Sequence, residues 1–374
     1  MRVLIVTESF FPQINGVANS VRHVCDRLLA RGHKVLIVAP GPGPSAYRQC
    51  PVVRVRSFDL PRYDTFPVGL PDSTVERVMR AFHPDVVHLA SPIVLGAAGQ
   101  RAATRIGVPT VAVYQTDVAG FAGHNGVPVR RLVDRWVGRL HRRATRNLVP
   151  SLASRAHLAG LGVQDLHLWR RGVSLDVFDP RHRDPTLRQA WTGGDPARSV
   201  VGYVGRLAPE KQVRRLTELA ALQGSRLVVV GDGPERDWLQ RHLPQAHFTG
   251  MLRGHELAQA FASLDVFVHP GESETFCQTV QEAQASGVAV IAPASGGPLD
   301  LIDHRRTGLL YPAGDTGALR EQVIELTADA SLRAELATAG RLAVSTRSWP
   351  SVVDQLIDVH YAAVIGRQHA PAVA

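Results

Sequence analysis

Two glutamates, Glu274 and Glu282, stand eight residues apart in a stretch that reads SLDVFVHPGESETFCQTVQEAQASGVAVIAPASGGP from Ser263 to Pro298. An apolar run, Leu264 to His269, feeds a loop. A helix is expected to start near Thr275, and a second apolar run follows at Val288 to Ala292. A helix N-terminus attracts anions, because its first N–H groups are unpaired and partly positive. Thr275 and Phe276 would present such groups. Carboxylates beside a bound phosphate repel it, so the glutamates need another role, and accepting hydrogen bonds from sugar hydroxyls is the obvious one. On one continuous helix the pair would be offset by about 80° and would not share a face. By spacing alone both read first as ordinary helix carboxylates.

Two cations lie upstream in GRLAPEKQV. Arg206 follows a strand end and Lys211 comes five residues later. An arginine fork and a lysine point charge could clamp a diphosphate. Lys34 and Lys211 are the only lysines in an arginine-dominated chain, which makes Lys211 conspicuous. No Asp-x-Asp occurs and no His/Asp cluster has metal spacing, so no metal is expected. Splitting a nucleotide diphosphate without a metal requires cations and helix N-termini to hold the leaving charge. Cys277 reads as a small buried thiol.

The elements that would position these groups alternate strand and helix twice. In the first half, strands at Val3–Thr7, Lys34–Ala39, Asp85–Ala90 and Thr110–Tyr114 alternate with helices near 17–30, 74–82 and 95–106. Residues 40–72, rich in Pro, Gly and Arg, read as a loop with one short strand at Val52–Val55. The first βαβ turn lacks G-x-G-x-x-G, so no nicotinamide or flavin cofactor is expected. Strand ends in parallel sheets meet ligands, which singles out His88, Gln115 and Asp117. In the second half, strands at 199–204, 226–230 and 247–249 precede the glutamate stretch. The pattern predicts an α/β protein of two doubly wound domains with a cleft between them. The domains are placed at 1–178 and 179–349, with a last helix from Pro350 that packs back on the first.

At 374 residues the chain fits two domains, and its apolar and charged fractions are those of a folded protein. No run is long and apolar enough for a membrane span, and the N-terminus reads as a strand rather than a signal peptide, so a cytoplasmic location is expected. Residues 1–180 carry 23 Arg or Lys against 12 Asp or Glu, a net of +11, while residues 181–374 carry 19 against 21, a net of −2. Arg130–Arg146 holds seven arginines and one acid, with Leu132, Val133, Trp136, Val137 and Leu140 on one helical face. The apolar stripe is expected in the core, and the arginine face can attract anionic lipid. No recognition motif or stacking-aromatic pattern points to nucleic acid.

GRLAPEKQV, VVGDGPE, HPGESETFCQTVQEAQASGVAVIAPASGG and TGLLY, with TESFFPQINGVANSV, RGHKV, DVVHLASP and RGVSLDVFDP, resemble the retaining glycosyltransferases of family 4 over nearly the whole chain. The resemblance implies a GT-B fold of two Rossmann-like domains facing each other across a cleft, and metal-independent transfer from a nucleotide sugar. It implies that Arg206 and Lys211 bind the donor diphosphate, Glu274 the transferred sugar and Glu282 the ribose. Gly16 would let a loop approach the phosphate, and Met251 and Leu252 would lie near the base. Many relatives have a histidine where this chain has Gln115; here Gln115 and Asp117 become candidate polar groups at the reaction centre. YQTDVAG with the arginine-rich helix is most similar to GDP-mannose-dependent α-mannosyltransferases of actinobacteria acting on membrane glycolipids. That implies a peripheral protein on the inner face of the plasma membrane. A UDP-sugar enzyme of sulfoquinovosyl type and a silent sugar-nucleotide binder are the rival readings.

Overall fold

The structure is a computed structural model and describes residues 1–13, 15–60, 63–70, 72–117 and 127–369. The chain divides into two compact units: Met1–Arg171 joined by the segment from Trp349 onward, and Gly172–Ser348. The first carries β1 (Arg2–Thr7), β2 (Lys34–Pro40), β3 (Ala46–Tyr47), β4 (Cys50–Val55), β5 (Ser57–Leu60), β6 (Tyr63–Gly69), β7 (Val86–Ala90), β8 (Thr110–Val113), β9 (Arg146–Val149) and β10 (Leu166–Leu168). The second carries β11 (Ser199–Val204), β12 (Ser225–Val230), β13 (His247–Gly250), β14 (Val266–Val268), β15 (Ala289–Pro293) and β16 (Leu309–Tyr311).

Each unit is built on a mainly or wholly parallel sheet. The first has eight strands in the order β10-β9-β8-β7-β1-β2-β4-β3, and the second has six in the order β13-β12-β11-β14-β15-β16. Strands with helices on both faces are buried on both, so they read as unbroken apolar runs. SVVGYV in β11 and VVHLA in β7 are buried at every position. Strand order reverses beside β1 in one sheet and beside β11 in the other. Loops leaving the carboxyl ends at such a point diverge and open a crevice. In the second unit β11 pairs with β14, Gly202 opposite Phe267, so the loops after Val204 and Val268 leave side by side.

Several boundaries move from those expected. The unit boundary falls at Arg171/Gly172 rather than 178/179. Val173 N–H donates to Arg347 O at 2.9 Å, and Arg341 pairs with Asp179 at 2.9 Å, so the chain is already tied to the second unit there. Residues 40–72 hold β3, β4 and the antiparallel hairpin β5–β6 rather than one short strand. Of its prolines, Pro67 lies in the two-stranded β5–β6 hairpin, where an outer N–H needs no partner, and Pro51 stands just before β4 begins to pair with β2 at Val52.

The chain returns to the first unit at Trp349. Arg27 grips Asp354 through two bonds of 2.8 and 2.5 Å, Trp169 donates to Val352 O at 2.9 Å, and Tyr361 hydroxyl meets His88 Nδ1 at 2.8 Å. One stretch, Leu356–Tyr361, widens to a π-helix. His88 therefore packs rather than binds. It lies inside β7, fully buried, and burial lowers its pKa to about 3.

The arginine-rich helix runs Val127–Arg142, and Arg146 instead opens β9, nearly buried. The expected apolar stripe divides. Val137 and Leu140 are buried with Val133 beside them, but Leu132 and Trp136 are 62 and 37 % exposed. Residues 133, 137 and 140 follow one i, i+4, i+7 row, and 132 and 136 fall on the neighbouring row. Among the described residues no helix is long and apolar enough to cross a membrane.

Candidate functional site

In the second unit the loop after β11 makes a short 3₁₀ turn, Pro209–Lys211, and the loop after β14 carries HPGESETFC. Lys211 Nζ sits 2.5 Å from Glu274 Oε1. His269 Nε2 lies 3.3 Å from the same oxygen, and His269 is 3 % exposed. The loop is braced from behind. Glu272 takes Arg215 and accepts from Gly314 N–H at 2.6 Å, and Glu274 O accepts from Gly297 N–H at 2.7 Å. A Cβ on Gly297 would lie 2.4 Å from the Phe276 backbone, so only glycine lets this close approach form.

The electrostatics are those of a partly desolvated ion cluster, with His269 buried and Lys211 and Glu274 half-buried. Burial alone would raise Glu274, but Lys211 and His269 reverse the sign and hold its carboxyl well below the usual range. Lys211 is likewise lowered by burial and raised further by Glu274, for a net rise. Burial lowers His269, but Cys277 and Glu274 outweigh it and lift the pKa to about 10. At neutral pH Lys211 and His269 are therefore both cations beside the Glu274 carboxylate.

Thr275 and Phe276 do not open the helix. It starts at Gln278 and runs to Ala285, after Cys277 in the left-handed region at φ 71°. A left-handed residue cannot be carried inside a right-handed helix, so the three residues before Gln278 remain loop. Phe276 is buried in the core and Thr275 is half-buried. Glu274 thus precedes the helix, and Glu282, half-buried, is its fifth residue. Arg206 is half exposed, 3.6 Å from Glu210. Met251 is 59 % exposed beyond the carboxyl end of β13, while Leu252 packs against the second unit's core.

His269, Glu274 and Cys277 bring one ligand atom each within 4.8 Å of one another, a cluster that no linear metal spacing announced. With Lys211 on Glu274 and a proton on His269, a metal ion would have to displace both.

The first unit has its own polar group. Gln115 lies just past β8 and is buried, and Arg171, 8 % exposed, donates to its Oε1 at 3.1 Å. A Cβ on Gly16 would fall 2.5 Å from Arg171 Nη1, so the space left by that glycine is occupied by the guanidinium. Asp117 is half-buried. After burial, its charge is the next cause pushing the Tyr114 hydroxyl pKa up. Residues 118–121 of YQTDVAGF lie outside the described residues. Sequence reasoning passed over Arg171, His269 and Glu8. Glu8 is fully buried just after β1. Its carboxylate accepts from Ile93, Leu95 and Gly96 N–H at 2.7, 3.2 and 2.8 Å. The one available signal was its position, a lone acid ending the first apolar run.

Paired Rossmann-like units with parallel sheets, the second bearing a lysine–glutamate cluster at its switch point, define a glycosyl-transfer protein of GT-B fold. The Glycosyltransferase Family 4 profile matches residues 14–177 and the Glycosyl transferases group 1 profile matches 192–343; the chain belongs to the family 4 glycosyltransferases and is an enzyme. It is 50 % identical to a GDP-mannose-dependent alpha-mannosyltransferase of Mycobacterium tuberculosis (strain CDC 1551 / Oshkosh), covering 100 % of this chain and 99 % of that one. It is 32 % identical to a sulfoquinovosyl transferase of Arabidopsis thaliana, over 97 % of this chain and 73 % of the relative. Among solved structures, Anabaena HepE in complex with UDP superposes with a TM-score of 0.79 at 20 % identity, over 97 % of this chain and 100 % of that one, a likeness of fold.

Proposed function

We propose that the chain moves mannose from GDP-mannose to a membrane glycolipid of phosphatidylinositol mannoside or glycosyl-diacylglycerol type, with retention and without a metal. The observation that carries the donor is the end-to-end 50 % identity to a GDP-mannose-dependent alpha-mannosyltransferase. The Lys211–Glu274 pair supports the chemistry. Lys211 and Arg206 take the diphosphate, Glu274 the mannose hydroxyls, Glu282 the ribose, and the Met251–Leu252 segment the base. The bond from the anomeric carbon to the phosphate oxygen breaks, and the acceptor oxygen bonds the same face. The acceptor proton passes to the departing diphosphate. Lys211, half-buried, and Arg206 stabilise the charge that grows on that leaving group.

The acceptor side belongs to the basic first unit, where Gln115 and Asp117 are the polar candidates. The arginine-rich helix fits attachment to an anionic bilayer, since Leu132 and Trp136 remain exposed among its arginines. On this reading the enzyme works from the cytoplasm, peripheral on the inner face of the plasma membrane.

The test is a panel of radiolabelled nucleotide sugars offered with total membrane lipid, with and without EDTA. Mannolipid from GDP-mannose, undiminished by EDTA, is expected. Product only from a UDP-sugar would favour the sulfoquinovosyl-type reading, which the Arabidopsis relative supports. Nucleotide binding without product from any donor would favour a silent binding protein. A strict Mg²⁺ or Mn²⁺ requirement would overturn the metal-free clamp.

A further inference from the structure

The molecule buries two histidines at comparable places, at or beside the carboxyl half of a central strand, in different ways. His88 in the first unit meets Tyr361 hydroxyl at 2.8 Å and is otherwise packed in the core. His269 in the second unit has no aligned hydrogen bond to either ring nitrogen among the described residues. It is turned instead toward Glu274 Oε1, the oxygen Lys211 already holds. An apolar side chain would fill that core position without the cost of desolvating an imidazole.

Cys277 adds a second oddity. It is 4 % exposed and adopts φ 71°, ψ 69°, a backbone conformation that favours glycine. Its thiol nevertheless reaches the same cluster, with Sγ, a His269 nitrogen and a Glu274 oxygen all within 4.8 Å of one another. A strained residue with a side chain, where glycine would sit freely, signals that the side chain is used. Gly271 leaves the imidazole its room: a Cβ there would stand 3.1 Å from Nε2.

We propose that His269 is a positioning residue for sugar transfer: with Lys211 it pins Oε1 of Glu274, so that Oε2 is presented to the hydroxyls of the transferred sugar, while Cys277 keeps the imidazole turned to that carboxylate. The inference rests on the assignment of Glu274 to the sugar. Lys211 serves two charges, the carboxylate and the diphosphate, and donor binding draws it toward the latter. His269 is the cation that stays with Glu274 when that happens. Its role is therefore specific to the sugar half of the donor.

The test compares the affinity of the full-length protein for a nucleotide sugar with that for its own nucleoside diphosphate, by calorimetry. Wild type is measured first with GDP-mannose and GDP and with UDP-glucose and UDP. A wild type that binds only the uridine pair overturns the mannose assignment, and the ratio is then followed on that pair. In His269→Phe the ratio of the two affinities should fall about tenfold, the effect of losing one charge-assisted contact, with diphosphate affinity changed less than twofold. His269→Gln, which keeps a donor and most of the volume, should restore part of the ratio, and decides the matter if the phenylalanine variant does not fold. Cys277→Gly should lower the ratio although it relieves the left-handed backbone. Equal losses on sugar and diphosphate would make His269 a packing residue, and an unchanged ratio in all three variants would overturn the proposal outright.

Discussion

Each unit sets a glutamate in a loop beside its sheet's switch point, buried in the first and half-buried in the second, and the two are held in opposite ways. Glu8 in the first unit turns its carboxylate onto three backbone N–H groups at the head of the helix Leu95–Ile106. Burial raises its pKa, partly offset by those bonds. Glu274 in the second unit meets two side-chain cations through a single oxygen, and its pKa is lowered well below the ordinary range. Backbone donors cannot move away, so a carboxylate spent on them stabilises a loop and does little else. A lysine ammonium can be recruited by a ligand phosphate. The same residue type at equivalent topology is thus fixed to backbone in one unit and, on the function proposed above, a poised binding group in the other.

Substitutions should separate these roles. Glu274→Ala or Lys211→Ala should cut transfer by about 10³-fold, the cost of removing one pre-organised group from a low-dielectric site, with folding retained. Near-wild-type turnover in either variant would sink the assignment. Glu8→Ala should behave inversely. It leaves three N–H groups, two of them buried, without an acceptor and should cost about 3 kcal/mol, read as a shift of the urea midpoint. A Glu8→Ala protein as stable as wild type would erase the contrast between the two units.

The sequence displayed the sheets well. Strands buried on both faces leave unbroken apolar runs, such as Val3–Val6 and Leu227–Val230, and no competing pattern obscures them. It displayed Lys211 and Glu274 by type, and the resemblance assigned their roles. It hid what depends on turns. Pro and Gly in residues 40–72 signal loop equally well whether or not edge strands form there. The helix start at Gln278 turns on the left-handed Cys277, a backbone state that a cysteine does not advertise. His269 ends an apolar run and looks like its terminus. Only the fold of the HPGESETFC loop swings Glu274 back beside it. Arg171 was one arginine among many, recognisable only once Gly16 and Gln115 were seen around it.

A pH series sharpens the contrast at smaller amplitude. An unfolded histidine titrates at about 6.5, whereas folded His269 is raised to about 10. The folded state therefore binds the proton more tightly, and this contribution to stability is complete below the unfolded value and lost as pH rises through about 10. Glu274 works the other way: its contribution is complete above the ordinary carboxylate pKa and is lost only in acid. The stability difference between wild type and His269→Phe should then be largest between about pH 5 and 6.5 and shrink toward pH 10. Unfolding curves at four or five pH values measure it. A difference that grows with pH would mean that His269 is neutral in the fold.

The smallest effect is expected at Gly16, and it tests whether the first unit's polar group matters to transfer at all. Gly16 begins the helix Gly16–Ala30, whose N-cap Asn15 accepts from Val17 and Ala18 N–H. Alanine is the better helix former there by up to about 1 kcal/mol. Its Cβ would press only on the end of the Arg171 side chain, 2.5 Å away, and a flexible guanidinium can retreat. Gly16→Ala should accordingly leave stability within about 1 kcal/mol of wild type. If Arg171 and Gln115 help form the acceptor side, turnover should fall while the nucleotide affinity of the second unit is unchanged, because the displaced guanidinium no longer holds Gln115. Loss of nucleotide affinity would instead support the role that the family resemblance gives this glycine, close approach to the donor phosphate. Measuring melting temperature, turnover and nucleotide affinity on this one variant distinguishes a group that shapes the acceptor from one that touches the donor.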